Sequence, residues 1–410
     1  MSQTIDMLRN SQENTAVIKI LKKDEHKARC RFKDEYLVMI KNQDIEGVMP
    51  IIDSSFSKKS AKLGFWYVMP FAEPLTKHLK DKNAEEIVDA VLSISETLHK
   101  LHKGQITHRD IKPPNLFYLN GKYCIGDFGL VGYPEKEDLT VKGGKLGPKW
   151  TMAPEMRRNP ESADGKPADV YSLAKTLWIL LTNERKGFEG KYIPDDSIRL
   201  KKYQKTIYAI PLDKLLGNCT ENDPSKRPAI KEFIELLNEW KELNRDYVKR
   251  NKSQWIEVQR KLFPTALPKR VIWEDKDQII KILKEVSSFD HLNHMLFPYS
   301  GGLDLDDVGA SFEENCIELI LDGTPYIVRP KRLIFESFGD DPEWNYFRFE
   351  SEGLYPVCSS KTNVNDEVFT EIEPGVYTDY ECKEFDDFDG KRLPSSARYI
   401  KRILNGDFVN

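Results

Sequence analysis

The sequence predicts an α+β protein with two domains, the first strand-rich at its start and helical afterwards, the second a smaller α+β unit. Three observations lead to this prediction. β-branched and aromatic runs dominate the first 70 residues, amphipathic helical patterns dominate residues 83–262, and short alternating runs follow the proline-containing stretch at 263–270. With 410 residues, the chain is long enough for two or three domains with cores of their own.

The first 70 residues contain three candidate strands and one candidate helix. TAVIKILKK (15–23) has the β-branched density of a strand, and GVMPII (47–52) and GFWYVMPF (64–71) have similar patterns. Between them, ARCRFKDEYLVMIKNQ (28–43) is charged and repeats with a helical period. This order predicts a strand-rich start that carries one helix.

Helical patterns follow. AEEIVDAVLSISETLHKLH, which comes directly after Asn83, keeps its apolar residues three and four positions apart. ADVYSLAKTLWILLT (168–182) and RPAIKEFIELLNEWKEL (227–243) are similar, and the last pattern continues as a basic amphipathic helix to about Leu262. The two prolines of FPTALPKR (263–270) should break that helix, so the domain boundary is predicted there.

Residues 271–410 are predicted to form an α+β domain with a mainly antiparallel sheet. One helical segment, DKDQIIKILKEV, precedes the short alternating runs CIELILD, TPYIVRP, RLIFESF and NYFRFE, and SSARYIKRIL is expected to close the domain. Residues 270–410 carry a net charge of −14, which leaves +10 for the rest of the chain. The two domains could therefore dock on each other electrostatically, or each could present an independently solvated surface.

The composition excludes several classes of protein. The chain has no apolar run of about 18 residues and no signal-peptide pattern, which predicts a cytoplasmic protein without a membrane partner. Its six cysteines form no C-x-x-C pair, so we expect reduced, structural cysteines and neither a disulfide framework nor a zinc ribbon. No nucleic-acid partner is expected.

The stretch ITHRDIKPPNLFYLNGKYCIGDFG (106–129) carries the groups that phosphoryl transfer needs. H-R-D-I-K-x-x-N offers Asp110 as a base, Lys112 as a cation for the γ-phosphate and Asn115 as a metal ligand. The flanking apolar runs can pair as a hairpin around Asn120-Gly121, which would bring Asp127 back beside Asn115. Two hard oxygen ligands would then converge on Mg²⁺, with Mn²⁺ as an alternative.

These motifs resemble those of the eukaryotic-like (Hanks-type) protein kinases, and the resemblance extends over about residues 1–243. Val17-Ile18-Lys19 resembles the strand whose lysine holds the α- and β-phosphates of ATP, and Glu35 is placed like its ion-pair partner. The resemblance implies a bilobal kinase domain over residues 1–262. Its small lobe would cover about 1–70, its helical lobe about 71–243, and a basic helix would extend it to 262.

Further motifs resemble the structural and regulatory parts of such a domain. Ala153-Pro154-Glu155 looks like the end of the activation segment, Arg227 like the buried partner of Glu155, and Asp169 like the aspartate that holds the H-R-D backbone. Arg109 beside the base implies regulation by phosphorylation of the activation segment. The candidate acceptors, in order of preference, are Thr140, Tyr133 and Thr151.

The resemblance also places an adenine site. Met69 to Phe71 resemble the gatekeeper and hinge, so the adenine ring should bond to the backbone near Phe71 and Ala72, with Phe117 as the floor of the site. Pro70 removes one backbone donor from this hinge.

One part of the family pattern is not found. The glycine-rich loop should lie roughly 15–20 residues before Lys19, where Ser2 occupies the place of its third glycine. We therefore expect a small lobe without that loop and without the family's first strand. Either the translation start lies upstream, or the protein binds ATP without the usual lid over the phosphates.

The predicted function is an ATP-dependent protein kinase that phosphorylates Ser/Thr residues, including its own, and uses residues 271–410 for regulation or substrate recruitment. Lys112 resembles the Ser/Thr branch, whereas Pro148-Lys149-Trp150 resembles the tyrosine branch, so a tyrosine or dual-specificity kinase stays open. A pseudokinase scaffold and a small-molecule kinase are further alternatives. DVYSLAKTLW resembles bacterial or phage-borne members, which associates the chain with signalling or phage defence.

Overall fold

The chain forms two compact units, Met1–Arg245 and Asp246–Asn410. The computed structural model describes the following residues: 3–9, 15–22, 25–56, 64–133, 150–194, 197–204, 206–289, 305–311, 315–321, 324–337, 345–352, 361–364, 367–373, 376–378, 391–392, 399–400, 402–404 and 407–409.

The first unit begins with an antiparallel sheet in the order β1-β2-β4-β3 and one helix. Its elements are β1 (Gln3–Arg9), β2 (Thr15–Leu21), α1 (His26–Lys41), β3 (Asp53–Ser55) and β4 (Trp66–Pro70). The strand predicted at 15–23, the helix at 28–43 and the strand at 64–71 are all present. They place Lys19 in the middle of the sheet, opposite Ile5 on one side and Tyr67 on the other.

One prediction for this lobe needs correction. GVMPII forms no strand; within it Val48 makes an isolated bridge with Ile125, and β3 starts after it. The sequence analysis also left one strand unidentified, since QTIDMLR forms β1 and pairs with β2 along its whole length. The polar and apolar residues of that heptapeptide alternate around Ile5 and Met7, which is the period of a strand.

The rest of the first unit is mainly helical. Its elements are β5 (Glu73–Pro74), α2 (Leu75–His78), α3 (Ala84–Lys103), β6 (Leu116–Leu119), β7 (Lys122–Ile125), α4 (Pro154–Arg158), α5 (Gly165–Thr182), α6 (Leu200–Tyr203), α7 (Ala209–Cys219) and α8 (Ile230–Arg245). α3 begins where the sequence predicts, because the Asn83 side chain and that of Glu86 form a capping box. α5 has 16 of its 18 residues buried, so it forms the centre of this lobe.

The second unit contains an antiparallel sheet, in agreement with the sequence prediction. β11 lies between β10 and β12, β9 pairs with β10, and β8 and β16 also pair with β11. TPYIVRP and RLIFESF, predicted as separate runs, are one strand with an irregularity between Pro330 and Arg332. The elements are α9 (Tyr247–Leu262), β8 (Arg270–Trp273), α10 (Lys276–Val286), β9 (Leu305–Ala310), β10 (Ile317–Leu321), β11 (Thr324–Glu336), β12 (Tyr346–Glu352), β13 (Lys361–Val364), β14 (Glu367–Glu373), β15 (Val376–Thr378), β16 (Lys391–Arg392), β17 (Tyr399–Ile400), β18 (Arg402–Leu404) and β19 (Asp407–Val409).

The helix predicted to continue to about Leu262 is interrupted, and the two compact units divide between Arg245 and Asp246. α8 ends at Arg245, and the Asp246 side chain accepts a hydrogen bond from the backbone of Lys249 (3.1 Å) to start α9. Trp255 of α9 is fully buried and stacks on Phe347 of the second unit, with ring centroids 5.8 Å apart. The basic helix therefore belongs to the second unit.

Two further predictions, on membrane-spanning helices and on cysteines, can be compared with the structure. None of the helices in the described ranges is long and apolar enough to cross a lipid bilayer. The four cysteines within those ranges, Cys30, Cys124, Cys219 and Cys316, form no disulfide there, and all except Cys30 are buried.

α5 contains a buried lysine that the sequence analysis did not single out. Lys175 donates hydrogen bonds to the carbonyl oxygens of Phe188 (2.6 Å) and Gly190 (2.8 Å), and its ammonium lies 3.6 Å from the Phe188 ring centroid. Burial, and then the charge of Arg157, lower the pKa of Lys175 to about 7. The folded state therefore favours the neutral amine.

We expect Lys175→Met to change how stability depends on pH. Lys175 binds a proton in both states below about pH 7, whereas from pH 7 to its unfolded pKa of 10.5 only the unfolded state holds that proton. Wild-type unfolding free energy should therefore rise relative to the variant by up to about 1.4 kcal/mol per pH unit above pH 7. Urea titrations at pH 6 to 9.5 measure this slope. The exposed Lys80→Met is the control, and equal slopes in all three proteins would contradict the assignment.

Candidate active site

The β6–β7 hairpin brings the H-R-D and D-F-G motifs of the first unit together. Asn120 and Gly121 adopt positive φ values of 48° and 84° at the predicted turn. The Gly126 N–H donates to the Asn115 carbonyl oxygen at 2.9 Å. Asp127, the next residue, is therefore placed beside Asn115, as the sequence predicts.

Asp169 anchors the loop that carries Asp110. This fully buried carboxylate on α5 accepts hydrogen bonds from the backbone N–H groups of His108 (2.8 Å) and Arg109 (2.6 Å). The His102 imidazole lies 2.9 Å from the same carboxylate. Arg109 has a φ of 65°, which is uncommon for a residue with a side chain, so these bonds stabilise a strained turn.

His108 joins the H-R-D motif to the D-F-G motif. Its Nδ1 accepts from the backbone N–H of Asp110 (3.2 Å), so Nε2 carries the proton and donates to the Gly126 carbonyl oxygen (3.0 Å). The ring also meets Phe128 edge to face, with centroids 4.7 Å apart. Asp110 and Asp127 are thus positioned by the same neutral imidazole.

The Asp110 carboxylate has one occupied and one free oxygen. Lys112 Nζ donates to Oδ2 at 2.7 Å, and Asn115 Nδ2 donates to Oδ2 at 3.1 Å and to the Asp110 carbonyl at 2.9 Å. Oδ1 accepts no hydrogen bond within the described part of the chain. A carboxylate held in this way can accept a proton at one defined atom.

Lys19 lies between two carboxylates from different elements. Its Nζ is 2.5 Å from Glu35 Oε1 and 3.2 Å from Asp127 Oδ1, and both Lys19 and Glu35 are buried. Burial opposes the charged form of Lys19, but the two carboxylates outweigh it and raise its pKa. Burial raises the pKa of Asp127, but the charge of Lys19, its hydrogen bond to Asp127 and further positive charge nearby together outweigh burial, so that pKa is lowered. Burial also raises the pKa of Glu35, which is the most enclosed of the three.

The oxygens left free at this cluster fit a hard divalent cation. Asn115 uses its amide nitrogen for Asp110, and Asp127 uses Oδ1 for Lys19, so Asn115 Oδ1 and Asp127 Oδ2 have no partner within the described residues. Amide and carboxylate oxygens are ligands that Mg²⁺ accepts together with water and phosphate oxygens. The donor set therefore agrees in chemistry with the predicted metal site.

The predicted adenine-site residues lie at the junction of β4, β5 and β6. Met69 and Ala72 are half-buried against the core, Phe71 is exposed, and Phe117 faces Pro74 across the β5–β6 pair. A Cβ added at Gly126 would lie only 3.0 Å from the Phe117 ring, so this glycine lets the D-F-G backbone pass beside it.

Glu155 and Arg227 form the predicted pair. The Arg227 guanidinium donates to Glu155 Oε1 (2.6 Å) and Oε2 (2.9 Å), and also to the carbonyl oxygens of Glu221 (2.8 Å) and Pro167 (3.1 Å). Its side chain is fully buried. This bidentate contact ties the end of the activation segment to α5 and to the turn before α8.

The structure describes three of the four predicted regulatory residues, namely Arg109, Tyr133 and Thr151. Thr140 lies outside the described residues. Arg109 Nε is buried and has no hydrogen-bond partner within them, and a Cβ at Gly132 would lie 2.7 Å from that atom. Of the other candidate acceptors, Thr151 is buried, and the Tyr133 hydroxyl donates to Asp34 on α1 at 2.8 Å.

The Tyr133–Asp34 contact is a feature that the sequence analysis missed. It joins the segment after D-F-G to the helix that carries Glu35. The partners are 99 positions apart, and neither lies in a recognised motif, so no local pattern indicates the pair.

Comparisons with known proteins agree with the geometry. The family model for the protein kinase domain matches residues 1–239. The serine/threonine-protein kinase ppk34 of Schizosaccharomyces pombe is 37% identical over 139 residues, 33% of this chain and 38% of that protein. The dual specificity protein kinase shkB of Dictyostelium discoideum is 34% identical over 140 residues, 32% of this chain and 21% of that protein.

The serine/threonine-protein kinase STY17 of Arabidopsis thaliana is 32% identical over 178 residues, 40% of this chain and 29% of that protein. The chain therefore spans less than two fifths of the length of each of these three relatives.

We expect Arg227→Leu to destabilise the protein by about 3–5 kcal/mol, because it leaves the Glu155 carboxylate without its buried partner. Arg245→Leu is the matched control. Arg245 also contacts both oxygens of a glutamate, Glu85, but its side chain is 59% exposed, and the loss should stay below about 1 kcal/mol. Urea-induced unfolding of the full chain measures both. Equal losses would contradict the assignment of Arg227 as a buried tie.

Proposed function

The chain belongs to the protein kinase family, and on that basis we propose that it transfers the γ-phosphoryl group of ATP to Ser/Thr hydroxyls of proteins. The observation that carries the proposal is the Asp110 carboxylate, whose Oδ2 is held by Lys112 and Asn115 while Oδ1 is free. A base of this kind suits a hydroxyl that must be oriented before it attacks.

Asp110 would orient the attacking hydroxyl. A substrate hydroxyl that donates to Oδ1 would point its oxygen at the γ-phosphorus. Its proton passes to the carboxylate as the new O–P bond forms and the bond from the γ-phosphorus to the bridging oxygen breaks, which releases ADP. Lys112, which already touches Asp110, would place its ammonium beside the transferred group.

Lys19, Asn115 and Asp127 would hold the triphosphate. Lys19 is charged and kept in place by Glu35, so it can donate to the α- and β-phosphates. Asn115 Oδ1 and Asp127 Oδ2 would hold the divalent cation, for which Mg²⁺ is the first choice and Mn²⁺ the alternative. A cation bound there neutralises charge on the phosphoryl oxygens.

The adenine ring would lie between Met69, Phe117 and the hinge. Phe71 and Ala72 donate no backbone hydrogen bond within the described ranges, so their N–H groups are available to the ring nitrogens. Phe117 supplies the apolar floor.

Ser/Thr specificity is favoured over the tyrosine alternative. Lys112 contacts Asp110 from the position that resembles the Ser/Thr branch, and two of the relatives bear Ser/Thr kinase names. The dual-specificity name of the third keeps that alternative open. Autophosphorylation on Thr140 stays a prediction, and Arg109, whose Nε has no hydrogen-bond partner among the described residues, is the proposed partner of the phosphate.

The second unit is proposed to recruit substrate or regulate the kinase, and docking of its acidic surface on the kinase domain stays a prediction. A signalling or phage-defence role rests on the resemblance of DVYSLAKTLW alone. A pseudokinase scaffold is disfavoured, because Lys19, Asp110, Asn115 and Asp127 make the contacts that a nucleotide site needs.

We expect Asp110→Asn to abolish phosphoryl transfer, because an amide cannot accept the hydroxyl proton. The loss should be about 10²–10⁴-fold or more. The wild type, this variant and the exposed-residue control Asp81→Asn are incubated with ATP and Mg²⁺, and phosphosites are mapped by mass spectrometry. Phosphate on Ser or Thr in the wild type and control, with none on Asp110→Asn, is the expected result. No phosphate on any of the three, with a generic protein substrate present, would favour the scaffold.

We expect Lys19→Met to weaken Mg·ATP binding by about 10- to 100-fold, because the phosphates lose a charge-assisted hydrogen bond of about 1.5–3 kcal/mol. Lys22→Met removes an exposed lysine from the end of the same strand and is the control. Calorimetric titration with a non-hydrolysable ATP analogue measures both. Unchanged affinity in Lys19→Met would remove this lysine from the nucleotide site.

A further inference from the structure

A cavity of about 440 Å³ lies in the first unit between the end of α3, the start of α5 and the start of α8. Cationic and titratable side chains dominate its polar lining, and Asp164 is the one carboxylate among the described residues there. These side chains are His99, His102, Lys103, Lys166, Arg227 and Lys231. Its volume is within the range of small-molecule sites.

The three lysines of this cavity are poorly neutralised, whereas Arg227 is paired with Glu155. Lys103 and Lys166 form no ion pair within the described ranges, and Lys231 makes only an exposed contact with Glu235 at 3.5 Å. Asp164 is already engaged, since it caps α5 by accepting from the Lys166 backbone at 2.9 Å. Like charges from three elements therefore share one concave surface, which costs free energy unless a counter-ion is present.

The positive charge in the cavity affects the pKa of His99. Its side chain is partly buried, and its pKa is lowered first by burial and then by the charges of Lys103, His102 and Lys231. Its neutral form, which can accept or donate a hydrogen bond beside the lysines, is therefore favoured. The arrangement combines a polar ring with cations from three helices that line one cavity.

We propose that this cavity binds a small molecule that carries two or more phosphate charges. The lysines come from α3, α5 and α8, so they can reach oxygens on different sides of one ligand. Tetrahedral phosphate groups offer oxygens in several directions, whereas a carboxylate offers two in one plane. A diphosphate matches this spread of donors better than a dicarboxylate does.

Two residues of the lining connect the cavity to the proposed kinase site. His102 contacts Asp169, which holds the H-R-D backbone, and Arg227 holds Glu155 at the end of the activation segment. A bound anion would therefore act on groups that position Asp110 rather than on Asp110 itself. Any effect on the reaction rests on the proposed function, but binding does not.

The test titrates the full chain with inorganic pyrophosphate without divalent metal, and follows affinity by calorimetry and the histidine ring C–H signals by NMR. Lys19→Met is the background in every arm, because pyrophosphate could also bind Lys19. We expect the His99 signal to shift, and Lys103→Met/Lys231→Met to weaken binding at least about tenfold. Lys100→Met/Lys226→Met is the matched control: both side chains are exposed, neither lines the cavity, and the loss of charge is the same.

Three results would overturn the proposal: equal weakening by both double variants, absence of pyrophosphate binding, or binding that leaves His99 unshifted. Malonate binding as tightly as pyrophosphate would overturn the choice of phosphate. If Lys103→Met/Lys231→Met fails to fold, the shift of the His99 signal in the Lys19→Met background still shows whether pyrophosphate binds at this cavity. Phosphosite mapping is a separate readout, so failure of the anion site and failure of the kinase assignment remain distinguishable.

Discussion

The Asp169 carboxylate is the interaction on which the active-site geometry depends. An aspartate inside a fully packed helix costs free energy unless its oxygens are satisfied, and here two backbone N–H groups and an imidazole satisfy them. The same bonds hold Arg109 at a positive φ. The packed core around α5 thereby fixes the backbone that presents Asp110, and the position of this candidate base follows from core packing.

His108 links the position of Asp110 to that of Asp127. Because its two ring nitrogens bond the backbones of Asp110 and Gly126, a shift of the H-R-D backbone also moves the segment before Asp127. Asp127 in turn contacts Lys19, which Glu35 holds from α1. The small sheet, the α1 helix and the helical lobe therefore meet in one continuous chain of polar contacts, in which each buried group depends on its neighbour.

The sequence reveals this site well because its groups are local or lie in short motifs. Asp110, Lys112 and Asn115 are within six residues, and the Asn120-Gly121 turn brings Asp127 to them. Contacts set by tertiary packing were harder to predict. The Tyr133–Asp34 pair and the buried Lys175 depend on distant elements, and GVMPII has the β-branched content of a strand although it forms only an isolated bridge at Val48. The break between α8 and α9 is hard to predict for another reason, since Asp246 is a helix cap within an unbroken amphipathic pattern.

The two ends of α5 differ in a way that matters for control of the site. Near its start, Asp169 holds the H-R-D loop, and the Pro167 carbonyl accepts a hydrogen bond from Arg227, which holds the end of the activation segment. His102, the partner of Asp169, and Arg227 both line the cationic cavity. Further along, Lys175 contacts loop carbonyls and aromatic rings among the described residues. Charge at the start of α5 is therefore coupled to the catalytic loop through direct hydrogen bonds. A ligand that changes the charge there would alter how well Asp110 is positioned and leave the chemistry of its free oxygen unchanged.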